Sequence, residues 1–88
     1  MSKVINDLDA LIAFRAHLIR FNRTLQDEFS SMSGHWREMG DVWNDAKYVE
    51  FGAALEEVNR GIERYLAATE GHEAYLLGRI EALRNYLG

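Results

Sequence analysis

Apolar residues recur every seven positions in two runs of this chain, and a single break at Gly40-Asp41-Val42-Trp43-Asn44-Asp45 separates them. Before the break the row is Leu11, Leu18, Leu25, Met32 and Met39. After it the row is Phe51, Val58, Tyr65 and His72, accompanied by Tyr48, Leu55, Ile62, Thr69, Leu76 and Leu83. Such a period makes a stripe along a helix and fits no strand, whose side chains alternate every second residue. Proline is absent, so nothing removes a backbone donor or clashes with the preceding turn. The pattern predicts an all-α domain over residues 1–88. Helix one covers about 3–39, the turn about 40–45 and helix two about 45–87.

Local signals set the expected ends. Ser2 or Asn6 can cap helix one, with Asp7 and Asp9 near the positive end of its dipole. Gly40 is expected to close it in the left-handed conformation, and Asn44 or Asp45 to cap helix two. Ser30-Ser31-Met32-Ser33-Gly34 is the weak stretch of helix one, since serine and glycine are poorer helix formers. The seven-residue spacing passes through it and predicts continuity. Phe14 and Phe21 give way to Phe29, Trp36 and Trp43 one position later in the repeat. That drift predicts a nearly straight helix in a plain packed hairpin rather than a strict supercoil. Helix two contains Gly52, Gly61, Gly71 and Gly78, each costing up to about 1 kcal/mol relative to alanine. Close contact with a neighbour is expected at some of them, and a local irregularity at Gly71.

A short connection makes the helices antiparallel. Leu18–Leu25 should then lie against Ile62–Thr69, and Leu11 near Leu76. Leu11, Leu18, Leu25, Met32, Met39, Phe51, Leu55, Val58 and Ile62 are expected to form the intrachain seam. Ile5, Ile12 and Ile19 make a further row, and Leu66, Leu77, Ile80 and Leu87 flank the seam of helix two. Two helices cover one stripe each, not a stripe this wide. The surplus implies a partner over Ile5, Ile12, Ile19, Leu66, Leu77 and Ile80, most simply a dimer closing a four-helix bundle. The partner expected is the chain itself or a related helical hairpin.

The net charge of −4 lies mostly in the second half, at −3 over residues 45–88 against −1 over residues 1–44. This disfavours binding to nucleic acid or to anionic membrane surfaces. No apolar run approaches the roughly 20 residues that span a bilayer. Asn6, Asp7 and Asp9 interrupt any signal-peptide core, so synthesis in a bacterial cytoplasm and, if exported, a leaderless route are expected.

Chemistry is hard to place on these residues. Cysteine is absent, which removes disulfides and thiolate metal sites. The residues three before His17, His35 and His72 are Phe14, Met32 and Thr69. None supplies the Glu-x-x-His pattern of a di-metal bundle. His72 is expected as a polar residue on the seam. Ser30, Ser31 and Ser33 lie near His35 without a nucleophile elbow or oxyanion loop, and no glycine loop cradles phosphate. No enzyme activity, cofactor or metal is predicted. Phe29, Trp36, Trp43, Tyr48 and Phe51 are expected to lock the turn, with Trp43 also a candidate anchor for a partner.

At the turn the chain resembles the WXG family, the early-secreted-antigen-like helical hairpins of type VII secretion. That family carries Trp-x-Gly between two helices and an aromatic residue eight positions after the tryptophan. Here Trp43, Asn44 and Asp45 occupy the turn and Phe51 stands at the eighth position, with Asp45 in place of the glycine. The C-terminal Tyr-x-x-x-Asp/Glu signal of many members is absent, since Thr69 stands four residues after Tyr65. The resemblance implies a dimerising hairpin acting as a secretion-associated substrate, adaptor or chaperone. With that signal absent, a partner chain or another system would have to supply it. The resemblance also implies a secretion ATPase or a larger exported toxin as further partners. The alternative with the same fold is a cytoplasmic or phage-like structural or regulatory module without export.

Overall fold

The computed structural model describes residues 2–88 and is an all-α helical hairpin. Helix α1 runs Ser2–Glu38, a 3-10 turn covers Met39–Asp41, and α2 runs Ala46–Leu87. The hairpin measures 63 × 18 × 15 Å, one helix long and two helices wide. Helix α1 is unbroken through Ser30–Gly34, and α2 is unbroken through Gly71. Asn6 therefore lies inside α1 rather than capping it.

The turn closes differently from the expectation at Gly40. No described residue has a positive φ. Instead the chain tightens into the 3-10 turn, where the Met39 carbonyl accepts from the Val42 and Trp43 amides at 3.0 and 2.7 Å. Gly40 serves by lacking a side chain: a β-carbon there would lie 2.9 Å from the Tyr48 hydroxyl. Asp45, in extended backbone, caps α2.

A row of buried and half-buried residues along α2 steps by four and three, Tyr48, Gly52, Leu55, Asn59, Ile62, Leu66, Thr69, Glu73, Leu76, Ile80, Leu83 and Leu87, with Gly61 and Tyr65 half-buried beside it. A strict seven-residue burial repeat requires helices that wind about each other. The drift expected from the aromatic residues is therefore absent. Phe14 and Phe21 are exposed and off the seam, while Phe29, Trp36 and Trp43 continue a row that begins Leu8, Arg15, Asn22. Two polar residues in that row hid it.

The seam also differs from the expected set. Leu11, Leu18, Leu25, Leu55 and Ile62 are half-buried, but Met32, Met39, Phe51 and Val58 are exposed. Near the turn the Trp36 indole fills the space between the helices and lies over Gly52, which displaces the methionine row outward. Ile80, assigned by sequence to a partner, is the buried apolar residue among those described, at 3% exposure. Its row, with Leu66 and Leu87, faces α1. His72 is exposed, its Nδ1 2.8 Å from the Ala68 carbonyl oxygen.

Candidate interaction surfaces

Three features of the hairpin carry functional content: the aromatic turn, a polar layer in the seam, and two apolar faces left open. At the turn, the Trp36 and Tyr48 rings stack with centroids 4.5 Å apart and planes 11° apart. The Trp36 indole N–H also donates to the Tyr48 carbonyl at 3.1 Å. Trp43 meets Tyr48 edge-on at 5.6 Å and Phe51 at 6.1 Å. One Asp45 oxygen accepts from the Trp43 indole at 2.9 Å and from the Lys47 and Tyr48 amides at 3.0 and 3.2 Å. Asp45 thus ties Trp43 to the start of α2 while capping it. Trp43 is half-buried, whereas Val42 beside it is 77% exposed.

Midway along the hairpin, polar groups replace apolar ones. The Asn22 amide donates to Thr69 Oγ1 at 3.0 Å and to Glu73 Oε2 at 3.2 Å. Arg15 Nε donates to the Glu73 backbone carbonyl at 3.0 Å. Asn22 is 6% exposed, and its own Oδ1 has no partner among the described residues. A buried amide of this kind costs stability and favours one alignment of the helices. Arg15 and Asn22 carry no apolar signal, and Glu73, which with Glu70 reads from sequence as a solvated helix surface, is half-buried in this layer. The signal was present in their spacing, since Arg15 and Asn22 stand fourteen and seven residues before Phe29.

The first open face carries the isoleucine row. Ile12, Ile19, Leu77 and Ile80 floor a groove of about 370 Å³, rimmed by Arg15, Arg20 and Arg84. Ile5, 43% exposed, extends the row toward the open end. On the opposite flank, Phe14 is 59% exposed and Phe21 packs edge-on against Tyr65 at 6.1 Å. Phe21, Leu25, Val58 and Tyr65 line a shallow groove there, and Met32 and His35 continue it toward the turn. Ile5 and Leu77 are exposed, whereas Ile12 and Ile19 are half-buried, as Leu11 and Leu18 are. The structure adds a phenylalanine face that the sequence reading did not assign.

Charge is distributed unevenly around these faces. The described ion pairs all lie within α2: Lys47–Glu50 at 3.0 Å, Arg60–Glu56 at 3.7 Å, and Arg60–Glu57. The hydrogen bond to Glu57, with that carboxylate's charge, raises the pKa of exposed Arg60 further above its ordinary value. Exposed pairs of this kind add little stability. Among the described residues no ion pair crosses between the helices, and no three His, Asp or Glu side chains converge as a metal site. No described helix is long and apolar enough to cross a membrane. Comparison with protein-family models, curated proteins and solved structures finds no match to this chain.

Proposed function

We propose that this chain is a non-enzymatic, WXG-like secretion-associated protein, a substrate, adaptor or chaperone. It acts by helix–helix association with a second hairpin, completing a four-helix bundle. The observation that carries this reading is the near-absence of a closed core. Ile80 is the one buried apolar residue among those described, while Phe14, Phe21, Met32, Phe51 and Val58 stay at least two-fifths exposed. An open apolar surface of this kind is what soluble monomers avoid and what helical bundles consume. The secretion-associated part rests on the resemblance at the turn, where Trp43 and Phe51 pack together and Asp45, in place of the family's glycine, caps α2. The second hairpin is a copy of this chain or a related one; a larger exported toxin or a secretion ATPase would be a subsequent partner.

Light scattering on the purified protein, with and without co-expressed neighbouring gene products, tests the association. The expected result is a complex that dissociates on Ile12→Asp. A wild type that stays monomeric at high concentration, with no hairpin partner found, overturns the proposal. Export is tested separately, by following tagged chain into the medium of cells with and without an intact type VII ATPase. Equal release from both strains removes the secretion part.

A further inference from the structure

We infer that the isoleucine groove binds a single long-chain carboxylate, its head held by the rimming arginines and its alkyl chain lying along the aliphatic floor. The inference stands apart from the bundle, because one hairpin alone carries the whole groove.

Charge carries the argument. The chain has fourteen Asp and Glu side chains against ten Lys and Arg, yet three arginines and no carboxylate line this groove. Other grooves of the hairpin mix their charges. Arg37 shares the one beside Trp36 with Glu56, and Arg79 shares the one beside Tyr75 with Asp7. Asp9, Glu70 and Glu81 stand close in sequence to the groove residues, but all three are exposed and none lines it. Among the described residues, none of the three arginines has an ion-pair partner. Three such guanidiniums over apolar side chains favour an anion that brings apolar surface with it. A bare acetate or phosphate would leave the floor wet, and an uncharged lipid would leave the rim unanswered.

The arginines come from both helices. A helical side chain leans toward the N-terminus of its own helix. In antiparallel helices Arg20 therefore leans toward the open end and Arg84 away from it, so the two converge over the groove. Arg15 is held from behind. Its Nε donates to the Glu73 carbonyl at 3.0 Å, which leaves its two terminal nitrogens for a carboxylate. The floor has room for a chain: Ile12 and Ile19 stand seven residues apart, about 10 Å along the helix. An extended alkyl chain advances about 1.2 Å per bond, so about ten carbons cover that span. Ile12 and Ile19 are half-buried and Leu77 is exposed, so each methylene is covered on one side.

Dodecanoate below its micelle-forming concentration is the probe, with binding followed by calorimetry and by methyl NMR. The expected result is saturable binding of one dodecanoate per chain that shifts the methyls of Ile12, Ile19, Leu77 and Ile80. Affinity should rise about twofold per methylene from octanoate to dodecanoate, as for half-covered methylenes. Dodecanol and dodecyltrimethylammonium should bind at least about tenfold more weakly. So should dodecanoate to the double variant Arg20→Gln with Arg84→Gln, at unchanged helicity; Arg15 is kept because it also ties the seam. Equal affinity for dodecanol, full affinity of the double variant, or shifts centred on Met32 and Val58 overturns the inference. Binding confined to vesicles of anionic phospholipid, with monomeric dodecanoate ignored, overturns it too. If wild-type hairpins pair through this face, dodecanoate must displace the partner and lower the mass seen by light scattering. A paired protein that keeps its mass and shows no methyl shift overturns the ligand and leaves the bundle standing. A chain that has no hairpin partner and binds dodecanoate does the reverse.

Discussion

Replacing Gly52 by alanine sets helix propensity against packing, because the two act in opposite directions at this position. In an open stretch of helix the change from glycine to alanine stabilises by about 0.8–1.0 kcal/mol. Gly71 and Gly78 are such positions, with nothing within 4 Å of an added β-carbon. At Gly52 the same carbon would overlap Cζ2 of Trp36 and lie 2.7 Å from its Cη2. The indole is half-buried, stacked on Tyr48 and hydrogen-bonded to its carbonyl, so yielding disturbs contacts it now makes. Moving it forfeits about 1 kcal/mol of hydrogen bond and about 1 kcal/mol of ring stacking. Leaving it in place incurs about 1–3 kcal/mol of overpacking. Gly52→Ala should therefore lose up to about 1 kcal/mol net, the propensity gain offsetting part of the cheaper packing cost, whereas Gly71→Ala and Gly78→Ala should each gain about 1 kcal/mol. Urea titration at fixed protein concentration, read by circular dichroism and tryptophan fluorescence, measures all three. A Gly52→Ala midpoint raised as far as that of Gly71→Ala would show that Trp36 does not occupy this space.

Three further substitutions probe the rest of the hairpin. Asp45→Ala removes one acceptor serving three donors and should cost about 1–2 kcal/mol, with Asp45→Asn recovering much of it; thermal melts of the pair check this. Asn22→Leu combined with Thr69→Leu makes the polar layer apolar and should raise the urea midpoint while broadening the range of assembled species seen by light scattering. A raised midpoint with a single unchanged species would remove register control from this layer. Phe14→Glu alters a side chain outside the seam and should change hairpin stability by no more than about 0.5 kcal/mol, a limit that a melt at low concentration tests.

How much of this was legible in the sequence depended on which residues marked each row. Continuous helices, the break and the antiparallel pairing follow from apolar spacing and the absence of proline, and Asp45 was readable as a cap from its type and place. The second seam row was obscured because its members change character, from Leu8 to Arg15 and Asn22 and then to Phe29. On α2 the matching row mixes Gly52, Asn59 and Glu73 with Leu66 and Ile80 in the same way, which sent Ile80 to the wrong face. Phe51 and Val58 look like core residues by type. Only the placement of Trp36 over Gly52 reveals that the room between the helices is already taken. A side chain's hydrophobicity is written in the sequence, whereas its competitor for the same volume, twelve or more residues away, is not.

The aromatic turn also fixes how the hairpin comes apart. Both chain ends lie at the same end of the rod, opposite the turn, so a pull on the termini loads the layers one after another rather than all together. The end that opens first holds Gly78 in α2, where glycine already weakens the helix. Next comes the Asn22–Thr69–Glu73 layer, held by hydrogen bonds that water replaces readily. Trp36, Tyr48 and Asp45 are reached last. Unfolding by force is thus a graded unzipping with its strongest resistance at the far end, and refolding on release starts from an anchored turn whose closing loop is only a few residues long.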